Sequence, residues 1–292
     1  MSSVEAILLA LGSGFCAGAL GPTLRWGLHR RPDAALGALA SVVIGLAVAA
    51  TIAAASGQLN HVGLRQGWPF LALGALAPGI SQVLFVGAIE RLGPSRALTG
   101  VSVAPLFAGI AAVVLLGEPF GVPLAVGTVL IVLGGATLGW ERQRPAGLRP
   151  SGFIFAAGAM SAYATRDDVL RWAGARSIAP LAGATLLLAS AGATTLLYVL
   201  VARRGRGSVT AIRRSLVPFA PAGLVFGLAY GGLVSAFHHG RVTVVSPVHG
   251  MYALWGVLLS AVFLRRSELI SRSLVVAAVL IVCGGALIAI FH

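Results

Sequence analysis

Three consecutive charged residues, Arg166, Asp167 and Asp168, stand inside an otherwise apolar stretch, with Tyr163 one helical turn earlier. In a helix that starts near residue 152 and rises about 1.5 Å per residue, Arg166 lies roughly 21 Å from the start. A guanidinium group there can hold a carboxylate through two parallel hydrogen bonds, and an aspartate can bind a proton or a cation whose occupancy changes with conformation. The alternative is an interfacial Arg–Asp pair that ends the helix.

Other apolar stretches carry aromatic and polar side chains that suit a flat or amphipathic ligand, because they offer stacking surface and hydrogen bonds. These residues are Ser81, Gln82, Tyr230, Tyr252 and Trp255. His249, close to Pro247, is a further candidate, since a histidine in a cavity can change its charge near neutral pH. Core packing is the alternative for each residue taken singly.

Metal and cofactor sites find no support in the sequence. His238 and His239 are adjacent, so in a helix they point in different directions and make a poor metal site. Cys16 and Cys283 lie in separate apolar stretches, which gives no basis for a disulfide framework or a thiolate cluster. The chain has no phosphate-binding glycine loop and no hydrolase motif, so we predict no cofactor.

The composition requires lipid as a solvent. The 292 residues are 58% hydrophobic and 10% charged, with a mean hydropathy of +0.94, far from the values of soluble domains. Apolar stretches of roughly twenty residues, each long enough to cross a bilayer, predict an all-α integral membrane protein of ten transmembrane helices. The predicted spans are 4–27, 34–56, 68–90, 96–116, 121–140, 152–173, 178–201, 217–237, 242–264 and 273–291.

Arginines between the spans set the expected orientation. The net charge is +13 and the pI is near 11.6, but the basic residues form no single soluble domain, which argues against nucleic acid as a partner. Arginines concentrate in the loops that follow odd-numbered spans, and the basic side of a membrane protein tends to stay in the cytoplasm. We therefore expect a multi-pass protein of the bacterial inner membrane with both termini outside the cytoplasm.

The chain repeats itself. VLIVLGGA at 129–136 returns as VLIVCGGA at 279–286, and Leu24-Arg25-Trp26 returns as Leu170-Arg171-Trp172. The two repeats are residues 1–140 and 152–292, joined by a polar linker at 141–151. Each repeat has five predicted spans, and because five is odd, the second repeat enters the membrane upside down relative to the first. Inverted repeats of this kind underlie alternating access in many secondary transporters.

Prolines mark the expected hinges and cavity. Pro78 and Pro105 fall in the third and fourth spans, and Pro221 and Pro247 fall in the corresponding eighth and ninth spans. Paired interruptions of this kind point to a central binding site, so we predict a cavity among spans one, three, four, six, eight and nine. The small residues of the fifth and tenth spans favour close helix contact, as a scaffold or in a homodimer.

The sequence resembles the drug/metabolite transporter superfamily, of the EamA type with ten helices. The match covers essentially the whole chain, and its best local region holds Arg96-Ala97, the mid-helix Pro105 and Leu116-Gly117-Glu118. In the second repeat Trp255 stands where a second such proline would fall relative to Glu268. The resemblance implies export or exchange of amino acids, nucleosides, drugs or other metabolites, and cytoplasmic termini, opposite to the orientation that the arginines predict.

Alternative functions fit the sequence less well. The same inverted repeat would suit a flippase for a lipid-linked precursor, which would need a laterally open amphipathic groove. A membrane-embedded transferase would need further spaced aspartates after Asp167-Asp168 to bind magnesium diphosphate, and these are missing. Glu118 and Glu268 precede the fifth and tenth spans, where we expect them to cap those helices.

Overall fold

The computed structural model describes residues 3–61, 64–101, 103–119, 121–138, 149–174, 178–202, 208–263 and 272–291, and these residues are almost entirely helical. No strand occurs within these ranges. The α-helices, in chain order, are α1 (Ser3–Arg30), α2 (Ala34–Ala55), α3 (Leu64–Gly74), α4 (Ser81–Leu92), α5 (Pro94–Val101), α6 (Ala104–Leu116), α7 (Val122–Leu138), α8 (Ser151–Gly174), α9 (Pro180–Ala202), α10 (Ser208–His239), α11 (Val242–Gly250), α12 (Tyr252–Phe263) and α13 (Arg272–Phe291).

Six helical segments in the described part of the chain are long and apolar enough to cross a membrane: Val4–Arg30, Ala34–Ala55, Gln66–Leu92, Pro180–Ala202, Val209–His239 and Val242–Ser260. Three shorter apolar helices lie within α6, α7 and α13. The 24-residue α8 is long enough to span the membrane, but its second half carries four charged residues. They are Arg166, Asp167, Asp168 and Arg171. The structure is therefore that of an all-helical, multi-pass membrane protein.

Glycines bring the long helices into close contact. α10 packs along both α1 and α2. A Cβ atom added to Gly27 would lie 2.5 Å from the Phe219 ring, and one added to Gly223 would lie 2.4 Å from the side chain of Ile44. Helices without large side chains at the contact gain van der Waals packing that lipid does not supply, so these glycines let α1 and α2 pack closely along α10.

The repeated GGA motif joins α7 to α13. A Cβ atom on Gly284 would lie 2.5 Å from the carbonyl oxygen of Gly127, and one on Gly134 would lie 2.9 Å from that of Ala277. Because the earlier residue of α7 meets the later residue of α13, the two helices run antiparallel. The motif thus acts as a scaffold within one chain, one of the two roles expected for it.

Three of the four predicted proline interruptions coincide with breaks. Ala77, which precedes Pro78, has extended dihedral angles inside a π-helical turn at Ala75–Ile80 between α3 and α4, as expected for a residue before proline. Pro105 lies in the first turn of α6, just after the α5–α6 break. Pro247 lies in α11, which ends three residues later at Gly250 and is followed by a turn at Met251.

Pro221 lies inside a helix that continues past it, so its role as a hinge stays a prediction. α10 continues from Ser208 to His239 through both Pro218 and Pro221. A proline removes one backbone hydrogen bond, and the packing of α1 and α2 along α10 holds the helix together across that loss. Most of the predicted linker, together with Glu268, lies outside the described residues.

Candidate functional site

A cavity of about 50 Å³ lies in the interior of the helix bundle. Its lining comes from α1, α4, α5, α6, α8, α10, α11 and α12. These helices fall in spans one, three, four, six, eight and nine, among which the sequence predicted a cavity. The lining residues are Ala17, Leu20, Phe85, Val101, Ala104, Pro105, Tyr163, Arg166, Asp167, Phe226, Ala229, Tyr230, Leu233, Ser246, His249 and Tyr252. At roughly 10–15 Å³ per water molecule, this conformation has room for a few waters.

Arg166 and Asp167 form an ion pair on the cavity wall. Arg166 Nε and Nη2 both donate to Asp167 Oδ1, over 2.9 and 2.7 Å. The two residues are only 5% and 2% exposed. Burial of two charges is tolerated only when they are paired and their remaining polar atoms are satisfied, so the contacts around this pair decide whether it is stable.

Two tyrosines enclose the guanidinium group of Arg166. Its Nη1 donates to Tyr230 Oη over 3.2 Å, and its Cζ lies 4.9 Å from the Tyr163 ring centroid and 5.5 Å from that of Tyr230. Tyr163 contacts Phe85 edge-on and Tyr230 packs against Phe226. The rings favour the cation through their quadrupoles and give the cavity an aromatic wall.

Asp167 also links α8 to α11. Its second carboxylate oxygen accepts a short hydrogen bond from the Ser246 hydroxyl group. Both oxygens of the carboxylate are therefore partnered, one by Arg166 and one by Ser246. Through these contacts and the Tyr230 bond, the buried pair joins α8, α10 and α11 at the level of the cavity.

His249 and Tyr252 occupy the α11–α12 side of the cavity. His249 Nδ1 lies 3.1 Å from Ser13 Oγ, and that hydroxyl group donates to the backbone oxygen of Ala229 over 2.6 Å. Tyr252 donates its hydroxyl to the backbone oxygen of Val101 over 2.9 Å. These bonds connect α11 and α12 to α1, α5 and α10.

The remaining predicted site residues lie outside the cavity lining. Gln82 is fully buried and donates to Ser41 Oγ over 3.0 Å, and Ser81 is fully buried beside it. Trp255 packs against Phe15 with ring centroids 5.4 Å apart. Asp168 is partly buried, and its Oδ1 has no hydrogen-bond partner among the described residues.

A second polar cluster lies about one helical turn along α8 from the ion pair. Glu118, in the segment between α6 and α7, accepts backbone N–H bonds from Val242 and Thr243, both over 3.0 Å. Arg171 Nε lies 3.6 Å from Glu118, and its Nη1 donates to the backbone oxygen of Phe237. Among the described residues, the N–H groups that Glu118 accepts belong to the start of α11 and not to α7, the helix that follows it in the chain.

Sequence reasoning missed Ser13, Ser246, Phe85 and Phe226. Ser246 precedes Pro247, which was a signal, but nothing in the sequence pairs it with Asp167. Among the described residues, no three metal-binding side chains lie close enough together to hold a metal ion.

Apolar membrane-spanning helices around a small interior cavity with a buried ion pair define a multi-pass membrane protein with an internal polar site. Residues 4–139 match the EamA-like transporter family, which belongs to the drug/metabolite transporter superfamily. The first part of the chain is therefore similar to this transporter family, in agreement with the resemblance found in the sequence.

Comparison with solved structures shows that the fold is shared. One crystal structure, described only as that of a protein, aligns over 98% of this chain and 97% of its own, with a TM-score of 0.70 and 20% sequence identity. At that identity the similarity concerns the fold alone. No curated protein matches the chain.

Proposed function

We propose that the protein is a secondary transporter, an exporter or exchanger, that moves a small polar or amphipathic metabolite across the bacterial inner membrane by alternating access. It has no enzymatic activity in this proposal. The observation that carries the proposal is the buried, hydrogen-bonded Arg166–Asp167 pair on the wall of an interior cavity. Ionisable groups at membrane depth are costly and usually serve a ligand or ion pathway.

The proposal includes ten transmembrane segments arranged as two inverted repeats. Its support is that corresponding helices make corresponding contacts. In this arrangement α8 corresponds to α1, α9 corresponds to α2, and α3 together with α4 corresponds to α10. α1 packs against α10 as α8 packs against α4, and α2 packs against α10 as α9 packs against α3. The antiparallel α7 and α13, which carry the same motif, fit an inverted pair.

Arg166 is the residue that we expect to hold the substrate. A guanidinium group carries five N–H donors, and the bonds to Asp167 and Tyr230 account for three of them. One donor on each terminal nitrogen stays available, which suits a carboxylate or a similar acceptor. The aromatic lining favours a flat apolar portion next to that acceptor.

Access to this site requires movement of the helices. The cavity has room for a few waters only and is smaller than ordinary ligand pockets, so we expect the helices to move apart when a metabolite binds. The Glu118–Arg171 cluster joins α8 to the start of α11. The breaks beside Pro78, Pro105 and Pro247 are the places where the segments can bend.

The proposal is tested by counterflow into liposomes that contain the purified protein, with amino acids, nucleosides and cationic drugs as compounds. The assay is run with and without a pH gradient to detect coupling to protons. Arg166→Lys retains the charge but not the planar fork, and we expect it to abolish most exchange; Arg213→Ala, at an exposed site early in α10, is the matched control. Unchanged counterflow in Arg166→Lys would reject the assignment of Arg166, and accumulation of lipid-linked precursor alone would favour a flippase.

A further inference from the structure

Ser13 behaves differently from most hydroxyl side chains of the bundle. Thr23, Thr51, Thr128 and Thr185 donate to the carbonyl group four residues earlier in their own helix, as is usual for such residues in helices. Ser13 of α1 instead donates to the backbone oxygen of Ala229 in α10. Because the hydroxyl group of Ser13 bonds to a different helix, its orientation depends on the tertiary structure.

The hydrogen-bond geometry fixes the proton on His249. A hydroxyl group has a single hydrogen to donate, and the 2.6 Å contact between Ser13 Oγ and the Ala229 oxygen requires that hydrogen. The contact of 3.1 Å between Ser13 Oγ and His249 Nδ1 must then have the ring nitrogen as donor. His249 therefore carries a proton on Nδ1.

The packing around Ser13 leaves little freedom for another arrangement. A Cβ atom on Gly14 would lie 2.8 Å from the backbone oxygen of His249, and one on Gly232 would lie 3.2 Å from Cβ of Ser13. α1, α10 and α11 thus meet at Ser13 with almost no space between their backbones. Ser13 is 2% exposed and His249 is 5% exposed.

The other ring nitrogen belongs to the cavity. His249 is a lining residue, and its Nε2 makes no hydrogen bond to any of the residues that the structure describes, nor is it a fully buried unpaired atom. A neutral imidazole with a proton on Nδ1 presents a lone pair at Nε2. The cavity therefore contains an acceptor on α11 as well as the donors of Arg166 on α8.

We propose that Ser13 is a positioning residue that holds His249 as the Nδ1–H tautomer, so that His249 Nε2 accepts a hydrogen bond from an N–H or O–H group of the substrate. This inference rests on the proposed function for its ligand. It defines the substrate class as compounds that carry both an acceptor for Arg166 and a hydrogen-bond donor. A compound that carries the acceptor alone would leave His249 Nε2 without a hydrogen-bond donor and would bind more weakly.

The tautomer is measured without any ligand. The full chain, labelled with ¹⁵N-histidine, is studied by NMR in lipid nanodiscs at alkaline pH, and the signals of His249 among the six histidines are assigned by their loss in His249→Gln. We expect a protonated Nδ1 and an unprotonated Nε2 in the wild type, and a mixture of tautomers in Ser13→Ala. Ser41→Ala, which alters a different buried serine, should leave the His249 signals unchanged.

The acceptor role is measured with matched ligands. The probes are 3- and 4-hydroxybenzoate and their methyl ethers, which share a carboxylate and a planar ring but differ in the hydroxyl donor. We expect the wild type to bind at least one hydroxybenzoate roughly tenfold more tightly than its ether, and His249→Phe and Ser13→Ala to lose that preference.

The results separate the inference from the proposed function. A proton on Nε2, protons on both nitrogens, or an unchanged tautomer in Ser13→Ala would overturn the positioning role. A wild type that does not distinguish the ethers, including one that binds none of the four probes, would overturn the acceptor role. If the tautomer is as expected but liposomes exchange no compound, the transport proposal fails while the role of Ser13 stands.

Discussion

Removal of one member of the buried ion pair should be far more damaging than removal of both. Asp167→Ala leaves the guanidinium group of Arg166, 5% exposed, with Tyr230 as its one hydrogen-bond partner among the described residues, and it also frees the hydroxyl of Ser246. Loss of one partner of a buried pair costs about 3–5 kcal/mol, because a charge stays buried without compensation.

The double variant Arg166→Met/Asp167→Leu removes both charges together with their cost of desolvation. Replacement of buried pairs by apolar residues of similar volume is neutral or stabilising by about 1–4 kcal/mol. We therefore expect the double variant to be at least as stable as the wild type, although each single substitution destabilises. If each single substitution costs about 3 kcal/mol or more, the coupling free energy between the two positions is about 6 kcal/mol or more.

The free energies are measured by SDS-induced unfolding of the full chain in mixed micelles, with Arg213→Ala as an exposed control expected to change stability by less than about 0.5 kcal/mol. The same variants are then assayed by counterflow. We expect the double variant to be folded and inactive, which would separate a role in binding from a role in stability. An Asp167→Ala variant with wild-type stability would refute the reasoning, since it would mean that the pair is hydrated or unnecessary.

Three further outcomes are expected. Glu118→Ala leaves two N–H groups at the start of α11 without acceptors, so it should lower the free energy of unfolding by about 1–2 kcal/mol. Glu118→Gln should lower it less, and equal losses in both variants would contradict the capping role. Gly284→Val should separate α7 from α13 and cost about 1–3 kcal/mol, whereas Gly12→Ala, with open space around it, should not destabilise; equal effects would contradict the tight contact. A reporter fused at His292 should be active only outside the cytoplasm, and cytoplasmic activity would show that the arginine distribution misleads.

Features that depend on local spacing or on repeated motifs could be predicted from the sequence. The recurring GGA motif indicated a close helix contact, and Gly134 and Gly284 both lie in the contact between α7 and α13. The spacing of Tyr163 and Arg166 placed both on one face of a helix, and the structure finds them together. Pro221 could not be judged in this way, because whether a proline breaks a helix depends on the neighbours that pack against it.

Contacts between distant helices were not readable. Ser13 and Ser246 look like ordinary hydroxyl residues in apolar helices, and only the approach of Ala229 and Asp167 turns them away from their own backbones. Glu118 likewise caps a helix that starts more than a hundred residues later. Such pairs depend on how the helices cross, which neither hydropathy nor spacing specifies.

The sequence also did not predict how each helix is rotated about its own axis. Gln82 and Trp255 were expected at the binding site because polar and aromatic groups suit a ligand. Gln82 pairs with Ser41 and Trp255 packs against Phe15 instead. In helices that are apolar on every face, no periodic pattern tells which side faces the cavity.

Alternating exposure of the cavity is the most direct test of the transport account. Ala104→Cys places a thiol on the cavity wall in a chain whose own Cys16 and Cys283 are replaced, and Ala112→Cys, fully buried away from the cavity, is the control. The measurement is labelling by a membrane-impermeant thiol reagent added to either side of oriented proteoliposomes. The account predicts labelling of Ala104→Cys from both sides and little labelling of the control; labelling from one side only, or from neither, would contradict it.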